Sequence, residues 1–433
     1  MTSPDLFVAT CDLGAQVRGR GAPGSRLDSV LRSGVGWVPA NLALTAFGDI
    51  APDNAFGSAG DLRLIPDEAT SVVVPTDPET DAPALRLFLA DQTLTDGAPW
   101  TGCPRGFLRQ VLADFEQTLG LRVVASFEHE FVLLGLDGSP PFSLRRHRDA
   151  ARFGGELLDL LANCGFEPET WLPEYGESQF EITLAPTGAL VAADRAVLLR
   201  ELVRDLAARR GLRASFAPLQ RPDGTGTGVH VHLSFRSADG QPTLFDPTRP
   251  GRLSESGTRF AAGVLRHARA LSAWTAPSPA SFLRLTPRRW SSAGAFLAER
   301  NREALLRICP TTSADEDEAA RQLNLEYRAC DATANPWLAL GLLLRAGLAG
   351  MTDPSCPSPT VWPEDVTATG PAEVAPLPTS LPEALGALVA DEELCSWLPA
   401  PLLDTFLAVK RHEIAQVDGL EAADVVQRIA DVY

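Results

Sequence analysis

The sequence predicts an α+β protein of two domains, a small sheet-rich domain over residues 1–100 and a larger mixed domain over residues 101–433. Three observations lead there. A chain of 433 residues can bury a substantial core but is too long for one ordinary domain. Residues 1–98 alternate short β-like runs with Gly- and Pro-containing turns. From Pro104 the pattern changes to helical spacing, followed by strands that alternate with helices and show no fixed-period repeat.

In the first domain the β-like runs are LFVATCDL, RLIPDE, TSVVVP and LRLFLA. RGFLRQVLADFEQTLG then reads as a helix, which places the boundary near residues 99–103. It runs into SFEHEFVLLG (126–135), where Phe127, Phe131, Val132, Leu133 and Leu134 predict a strand bound for a core. EYGESQFEITL, GTGVHVHLSF, the ALLRI of NREALLRIC, and LNLEYRA read as further strands. Residues 352–382, rich in Pro, Thr and Ser, read as an ordered surface loop or an insertion. LPEALGALVADEELCSWL and PLLDTFLAVKRHEIAQV predict two amphipathic helices.

Charge excludes several functions. A net charge of −17 argues against non-specific nucleic-acid binding and against a polybasic membrane surface. No basic-plus-apolar leader and no bilayer-length apolar run is visible, so a cytoplasmic protein is expected. The seven cysteines are scattered without CxxC or zinc spacing and read as reduced thiols. Lys410 is the only lysine. A Walker A loop is therefore impossible, and a Schiff-base role does not suit a residue in a C-terminal helical stretch. If phosphates are handled, metals and arginines must do it.

The predicted strands carry charge where apolar residues are expected. Side chains alternate between the faces of a strand, so Glu128 and Glu130 point the same way. Glu181 sits between Phe180 and Ile182, with Glu174 seven residues earlier. His230, His232 and Ser234 share a face, as do Asn324, Glu326 and Arg328, and Arg302 and Arg307 bracket ALLRI. Singly each has a bland reading: a lone Glu on a strand is more often solvated or salt-bridged, and paired histidines can be satisfied core residues. Together, five carboxylates and a histidine on one concave surface repel each other unless divalent cations neutralise them. Oxygen-rich ligation with one imidazole suits Mg²⁺ or Mn²⁺. Arginines beside such metals suit phosphoryl transfer, which is mostly positioning and charge neutralisation.

These stretches resemble the glutamine synthetase superfamily over essentially the whole chain. The family's paired-glutamate strand matches SFEHEF, its E-x(6)-E segment matches Glu174 to Glu181, and its G-x-H-x-H-x-S strand matches Gly228 to Ser234. N-R-x(4)-R matches Asn301 to Arg307, and E-x-R-x-x-D-x-x-A-N-P matches Glu326 to Pro336. Gly60 to Asp67 fits the family's N-terminal domain. The resemblance implies a β-grasp N-terminal domain and a catalytic domain built on an antiparallel active-site barrel with helices. It implies one metal held by Glu130, Glu174 and Glu181 and another by Glu128, His230 and Glu326, with two to three Mg²⁺ or Mn²⁺ ions per site. Arg302 and Arg307 would neutralise the transferring phosphate. Arg284 and Arg328 would hold glutamate and its acyl phosphate, with Gly226 offering backbone contact. His232, Ser234 and Arg307 would lie toward ATP. The implied partners are glutamate, ATP, an amine and further copies of the chain, as a homododecamer of two stacked hexamers.

Departures from the family pattern decide the kind of member. Twelve residues before Arg302, where ammonia-using enzymes carry a flap glutamate, stands Trp290. An indole can neither attract ammonium by charge nor take its proton. The ammonium-holding aspartate is not recognisable in LTAFGDIAPD, where Asp49 is nearest. Thr225 replaces the usual Asn, Ser178 the usual Gly, and Asn324 a common nucleotide-side arginine, for which Arg321 is the nearest substitute. Three readings follow: a γ-glutamyl-amine ligase using an organic amine, a glutamine synthetase with an altered flap, and a non-catalytic binding or regulatory relative. The retained charged residues favour the first two.

Overall fold

The computed structural model describes residues 4–136, 138–289, 291–292, 294–367 and 370–433; Trp290 lies outside the described residues. The N-terminal sheet contains β1 (Asp5–Cys11), β2 (Val17–Ala22), β3 (Val35–Trp37), β4 (Leu62–Pro66), β5 (Val72–Val74) and β6 (Leu85–Leu94), in the order β2-β1-β6-β4-β3 with β5 also on β6. β1 and β6 run parallel, and the other pairs antiparallel. The apolar runs all became strands. β2 and β3 are additions: VRGRGA and VGW lack a long apolar alternation and form by pairing with β1 and β4. Helix α1 (Leu27–Ser33) packs on β4.

The second sheet carries the charged strands. Helix α2 (Pro104–Leu119) ends at Gly120, whose left-handed conformation (φ 67°) turns the chain directly into β7 (Leu121–Leu134). After α3 (Leu144–Asp149) and α4 (Ala151–Asn163) come β8 (Pro168–Pro173), β9 (Gln179–Leu184) and β10 (Thr187–Gly188). Then follow α5 (Ala189–Arg209), β11 (Arg213–Ser215), β12 (Val229–Ser237), α6 (Glu255–Arg266), α7 (Ala268–Thr275) and α8 (Ser281–Arg284). β13 (Gly294–Glu299), β14 (Ala304–Ile308), α9 (Glu316–Gln322), β15 (Leu325–Tyr327), α10 (Pro336–Thr352) and β16 (Val361–Trp362) complete the sheet and its cover. The strand order is β16-β13-β14-β15-β12-β7-β9-β8, with β10 and β11 on β7. The central pairs are antiparallel as expected, but β13 pairs parallel with both β14 and β16. Only residues 300–303 separate β13 from β14, and Arg300 makes the return in a left-handed conformation (φ 56°).

Alternation on β7 follows the pleat. Val123, Ala125, Phe127, His129, Phe131 and Leu133 are buried, while Ser126, Glu128 and Glu130 on the other face are half-buried. The long helix α5 packs on β7, and α10 packs on α2, α5 and α6. The acidic face is thus backed by a continuous apolar core.

Three buried polar side chains fasten the N-terminal sheet to this body. Arg105 at the start of α2 pairs with Asp67 (2.8 Å), Asp91 (2.9 Å) and Asp194 (2.8 Å). Arg200 Nη2 donates to the Ala15 carbonyl (3.0 Å), and Asn335 Nδ2 to those of Cys11 and Asp12 (3.1 Å each). The C-terminal region has more helices than the two expected: α11 (Leu381–Ala390), α12 (Glu392–Ser396), α13 (Ala400–Val417) and α14 (Ala422–Ala430). The first expected helix breaks at Asp391, whose carboxylate accepts from Leu394 N (3.0 Å) and caps α12. Lys410 is buried in α13 and pairs with Glu413 (2.8 Å), a structural role. None of the seven cysteines is disulfide-bonded. Among the described residues, no helix is long and apolar enough to cross a membrane.

Candidate active site

Register, as well as alternation, assembles the charged face. His230 on β12 lies opposite Glu128 on β7, and Glu181 on β9 lies opposite Glu130. On the other side of β12, His232 is opposite Glu326 on β15, which in turn is opposite Arg307 on β14. Side chains directly across two strands are close neighbours. Four pairings thus bring residues up to about 200 positions apart onto one surface.

Among the described residues, two groups of metal-capable atoms result. Glu128, His230 and Glu326 each offer a donor atom within 4.8 Å of the others, and so do Glu130, Glu181 and His230. His230 Nδ1 lies 3.3 Å from Glu128 Oε2 and 3.5 Å from Glu326 Oε1. Glu174 lies outside this second group, and His230 belongs to both. Glu174 sits in the turn between β8 and β9, where its Oε2 accepts from Tyr175 N (2.8 Å). It remains close enough for its charge to act on Glu130 and Glu181.

The electrostatics are lopsided. Burial pushes Glu181 up to about 9, and the charges of Glu128, Glu130, Glu174 and Glu326 push the same way. Burial raises Glu130 to about 7 despite the Gly228 N–H that donates to its Oε2 (2.7 Å). Glu326 resists: burial raises it, but Arg328, His230 and His232 hold it down to about 2. Arg307 Nη1 pairs with Glu326 Oε2 (2.7 Å), and Arg328 pairs with Oε1. One half of the face therefore has arginines in contact, whereas in the other, among the described residues, no ion pair reaches Glu130 or Glu181, and Arg284 and Arg328 only partly offset the burial of Glu130. Oxygen donors with one shared imidazole in that half fit a hard divalent cation.

Arg284 enters from α8 through a passage that only glycine leaves open. A Cβ on Gly226 would approach Arg284 Cγ to 2.7 Å, and one on Gly228 would strike its Nη2. Nη2 donates to the Arg328 carbonyl (3.2 Å), whereas the buried Nη1 has no hydrogen-bond partner among the described residues. A buried guanidinium nitrogen left this way fits a carboxylate substrate. Gly226→Ala should raise KM for glutamate roughly ten- to hundred-fold, the worth of one charge-assisted hydrogen bond, with Tm little changed. An unchanged KM would remove Arg284 from that role. Arg302 is exposed on the 300–303 return, and its carbonyl accepts from Arg328 Nε (2.8 Å). Ser234 follows His232 on the same face, half-buried.

His232 has closer neighbours than expected. Its Nε2 lies 3.0 Å from Glu128 Oε1, so each Glu128 oxygen faces one imidazole. Its Nδ1 lies 2.8 Å from Asn324 Oδ1, and that amide oxygen, accepting the proton of the Nδ1–H tautomer, fixes the ring. Asn324 thus orients His232. Arg321 pairs instead with Glu318 on α9 (2.8 Å) and does not substitute for an arginine here. Ser178 keeps the left-handed backbone (φ 51°) that the family's glycine suits. Asp49 contacts Gln416 and His412 of α13, the latter at 3.5 Å.

Four supporting residues escaped the sequence reading. Gln179 Nε2 donates to Gly226 O (2.9 Å) and Glu130 Oε2 (3.3 Å), tying the β9 start to the glycine passage. It shares a face with Glu181, so the same alternation could have found it. Buried Glu303 accepts from Arg288 N (3.2 Å), and the Cys309 thiol lies 3.7 Å from Glu326 Oε2. Buried Arg146 donates to the carbonyls of Ser139, Glu174 and Gly176. No sequence signal marks an arginine whose partners are loop carbonyls.

Residues 101–424 match the glutamine synthetase catalytic domain, and residues 6–100 match the glutamine synthetase N-terminal domain. The chain belongs to the glutamine synthetase family. Its α+β architecture is that of this family's two domains, and its coarse activity is that of a glutamine synthetase-like ligase. A gamma-glutamylpolyamine synthetase of Streptomyces coelicolor is 34% identical, covering 96% of this chain and 91% of that relative. A glutamate–isopropylamine ligase of a Pseudomonas species is 29% identical, covering 82% and 78%. A glutamine synthetase of Methanocaldococcus jannaschii is 30% identical, covering 82% and 79%. Among solved structures, a glutamine synthase homolog superposes with a TM-score of 0.92 at 45% identity, covering 100% of this glutamine synthetase family chain and 99% of the other.

Proposed function

We propose that this protein is an ATP-dependent γ-glutamyl-amine ligase: it joins the γ-carboxyl of glutamate to an organic amine through γ-glutamyl phosphate. The observation that carries the reading is an asymmetry. The residues suited to making the acyl phosphate are gathered on one face, while the position suited to ammonium carries Trp290. Similarity to a gamma-glutamylpolyamine synthetase and to a glutamate–isopropylamine ligase supports it.

In this reading glutamate is anchored by Arg284 Nη1, with Arg328 holding Arg284 and Glu326 in place. Arg302 and Arg307 meet the γ-phosphoryl group of ATP as it passes to the γ-carboxylate, releasing ADP. His232 and Ser234 face the nucleotide side. Glu128, Glu130, Glu181, His230 and Glu326, with Glu174 beside them, would hold two or three Mg²⁺ or Mn²⁺ ions, which would supply charge neutralisation on the phosphates. The amine nitrogen then attacks the acyl carbon, the C–O bond to phosphate breaks, and one proton leaves the nitrogen. The chain works in the cytoplasm as two stacked hexamers; a monomeric mass in light scattering together with full activity would exclude the rings.

Similarity to glutamine synthetases of archaea supports a second reading, in which ammonia is the nucleophile. ADP release with glutamate and a panel of amines, against glutamate and ammonium at equal free-base concentration, separates the two. Amines are expected to win. ADP release from none of them would leave a non-catalytic relative.

A further inference from the structure

Exposed aromatic surface is concentrated at one edge of the acidic face. Of the large apolar side chains exposed among the described residues, only two are aromatic: Phe142, 51% exposed, and Tyr175, 55% exposed. They come from different loops, one following β7 and the other in the β8–β9 turn, yet their ring centroids are 6.4 Å apart at an interplanar angle of 39°. Leu144, 67% exposed, lies two residues beyond Phe142.

The pair is built rather than incidental. Arg146, 4% exposed, spends its guanidinium on three backbone carbonyls: Ser139 in the first loop, and Glu174 and Gly176 in the second. That clamp sets the two loops side by side. Ser143 caps the short helix that carries Arg146, accepting from Arg146 N (3.1 Å). Phe142 is held with a positive φ of 53°, a conformation that costs a non-glycine residue free energy. Buried polar bonds and backbone strain are thus committed to holding two half-exposed rings side by side.

What their exposed faces can receive follows from charge. Tyr175 directly follows Glu174, whose carboxylate acts on Glu181 and Glu130, and Glu177 stands exposed in the same turn, paired with the equally exposed Arg221 at 3.2 Å. Aromatic faces at the rim of a carboxylate cluster attract a cation that carries hydrocarbon. They suit a phosphate-bearing nucleotide poorly, because Arg146 is already engaged by backbone. We propose that Phe142 and Tyr175 form the wall against which the carbon body of the acceptor amine packs, selecting alkyl-, diamino- or arylammonium compounds over short ones. This rests on the amine-ligase reading.

The test is kcat/KM for linear amines from methylamine to hexylamine and for 1,6-diaminohexane, with wild type, Phe142→Ala, Tyr175→Ala and Tyr175→Phe. The alanine variants should raise KM for the long amines about ten-fold while methylamine is unaffected, and KM for glutamate and ATP should hold. Tyr175→Phe should behave as wild type. Equal losses for all amines, or none, would overturn the wall. Calorimetric binding of 1,6-diaminohexane keeps this separate from the ligase reading. Binding by wild type that weakens about ten-fold in Tyr175→Ala supports the wall even if no amine is turned over. No difference between the two proteins, or no binding by wild type, overturns it.

Discussion

Replacing Glu181 by glutamine should lower turnover by about a thousand-fold or more while leaving the metal-free protein at least as stable as wild type. The loss of rate is the several kcal/mol that metal-borne charge neutralisation contributes to phosphoryl transfer. The stability effect has the opposite sign because of where Glu181 sits. Opposite Glu130 and beside the Glu128–His230–Glu326 group, its carboxylate is pushed from an ordinary 4.5 up to about 9. A carboxylate whose folded pKa is raised destabilises the fold increasingly as pH climbs above the ordinary value, levelling off above the folded one. Glutamine removes that penalty. Added Mg²⁺ or Mn²⁺ offsets it in wild type, so the rise in Tm on adding metal should be small near about pH 6 and larger near about pH 8. In Glu181→Gln the metal-dependent rise should shrink at both. Glu130→Ala should lose activity similarly. Undiminished turnover in Glu181→Gln, or a metal-induced Tm rise independent of both pH and this side chain, would remove the metal assignment.

How much of this was legible in the sequence depends on the kind of physics involved. Strand faces were legible, because the two-residue period of β7, β12 and β15 puts Glu128 with Glu130, His230 with His232, and Glu326 with Arg328 whatever the neighbours are. Which strands adjoin was not, because pairing β7 with β12 and β9 depends on long-range register. The resemblance to a family implied ligand groups and an antiparallel barrel, not that order. It grouped Glu174 with Glu130 and Glu181, and the chain holds Glu174 in a turn beside them, its carboxylate accepting from Tyr175 N and its charge acting on both. Asn324 looked like the loss of a cation and proved to be the anchor of an imidazole. A polar side chain announces that it needs a partner; only the fold says which. The same holds for Arg146 and Arg105, two buried guanidiniums that hold loops and domains together.

Wild type assayed with ammonium should prove a poor enzyme at any concentration, and Trp290→Ala should lose amine use without losing the acyl-phosphate step. The family resemblance puts position 290 where ammonia-using relatives carry the flap glutamate. An indole there supplies neither a negative charge for ammonium nor an acceptor for its proton. Asp49, the nearest candidate for the second ammonium-holding group, is engaged with α13 of its own chain. A larger amine can use its carbon skeleton or ring against the indole, gaining roughly 1–2 kcal/mol from stacking or cation–π contact once desolvated. Loss of that contact should cut kcat/KM for the preferred amine about ten-fold or more. Formation of γ-glutamyl phosphate should survive, because the described residues on either side of position 290 have their own anchors. Ser291 Oγ donates to the Arg284 carbonyl (2.7 Å) and Arg289 Nη1 to Gly224 O (2.7 Å), so Arg284 and the glycine passage each have an anchor among the described residues. Trp290→Glu should recover ammonia use only in part, since it restores one of two anionic groups. The decisive comparison is glutamate plus ammonium against glutamate plus amines in the unaltered protein. Ammonium as the best nucleophile would make this chain a glutamine synthetase with an unusual flap, and Trp290 would then owe its place to packing.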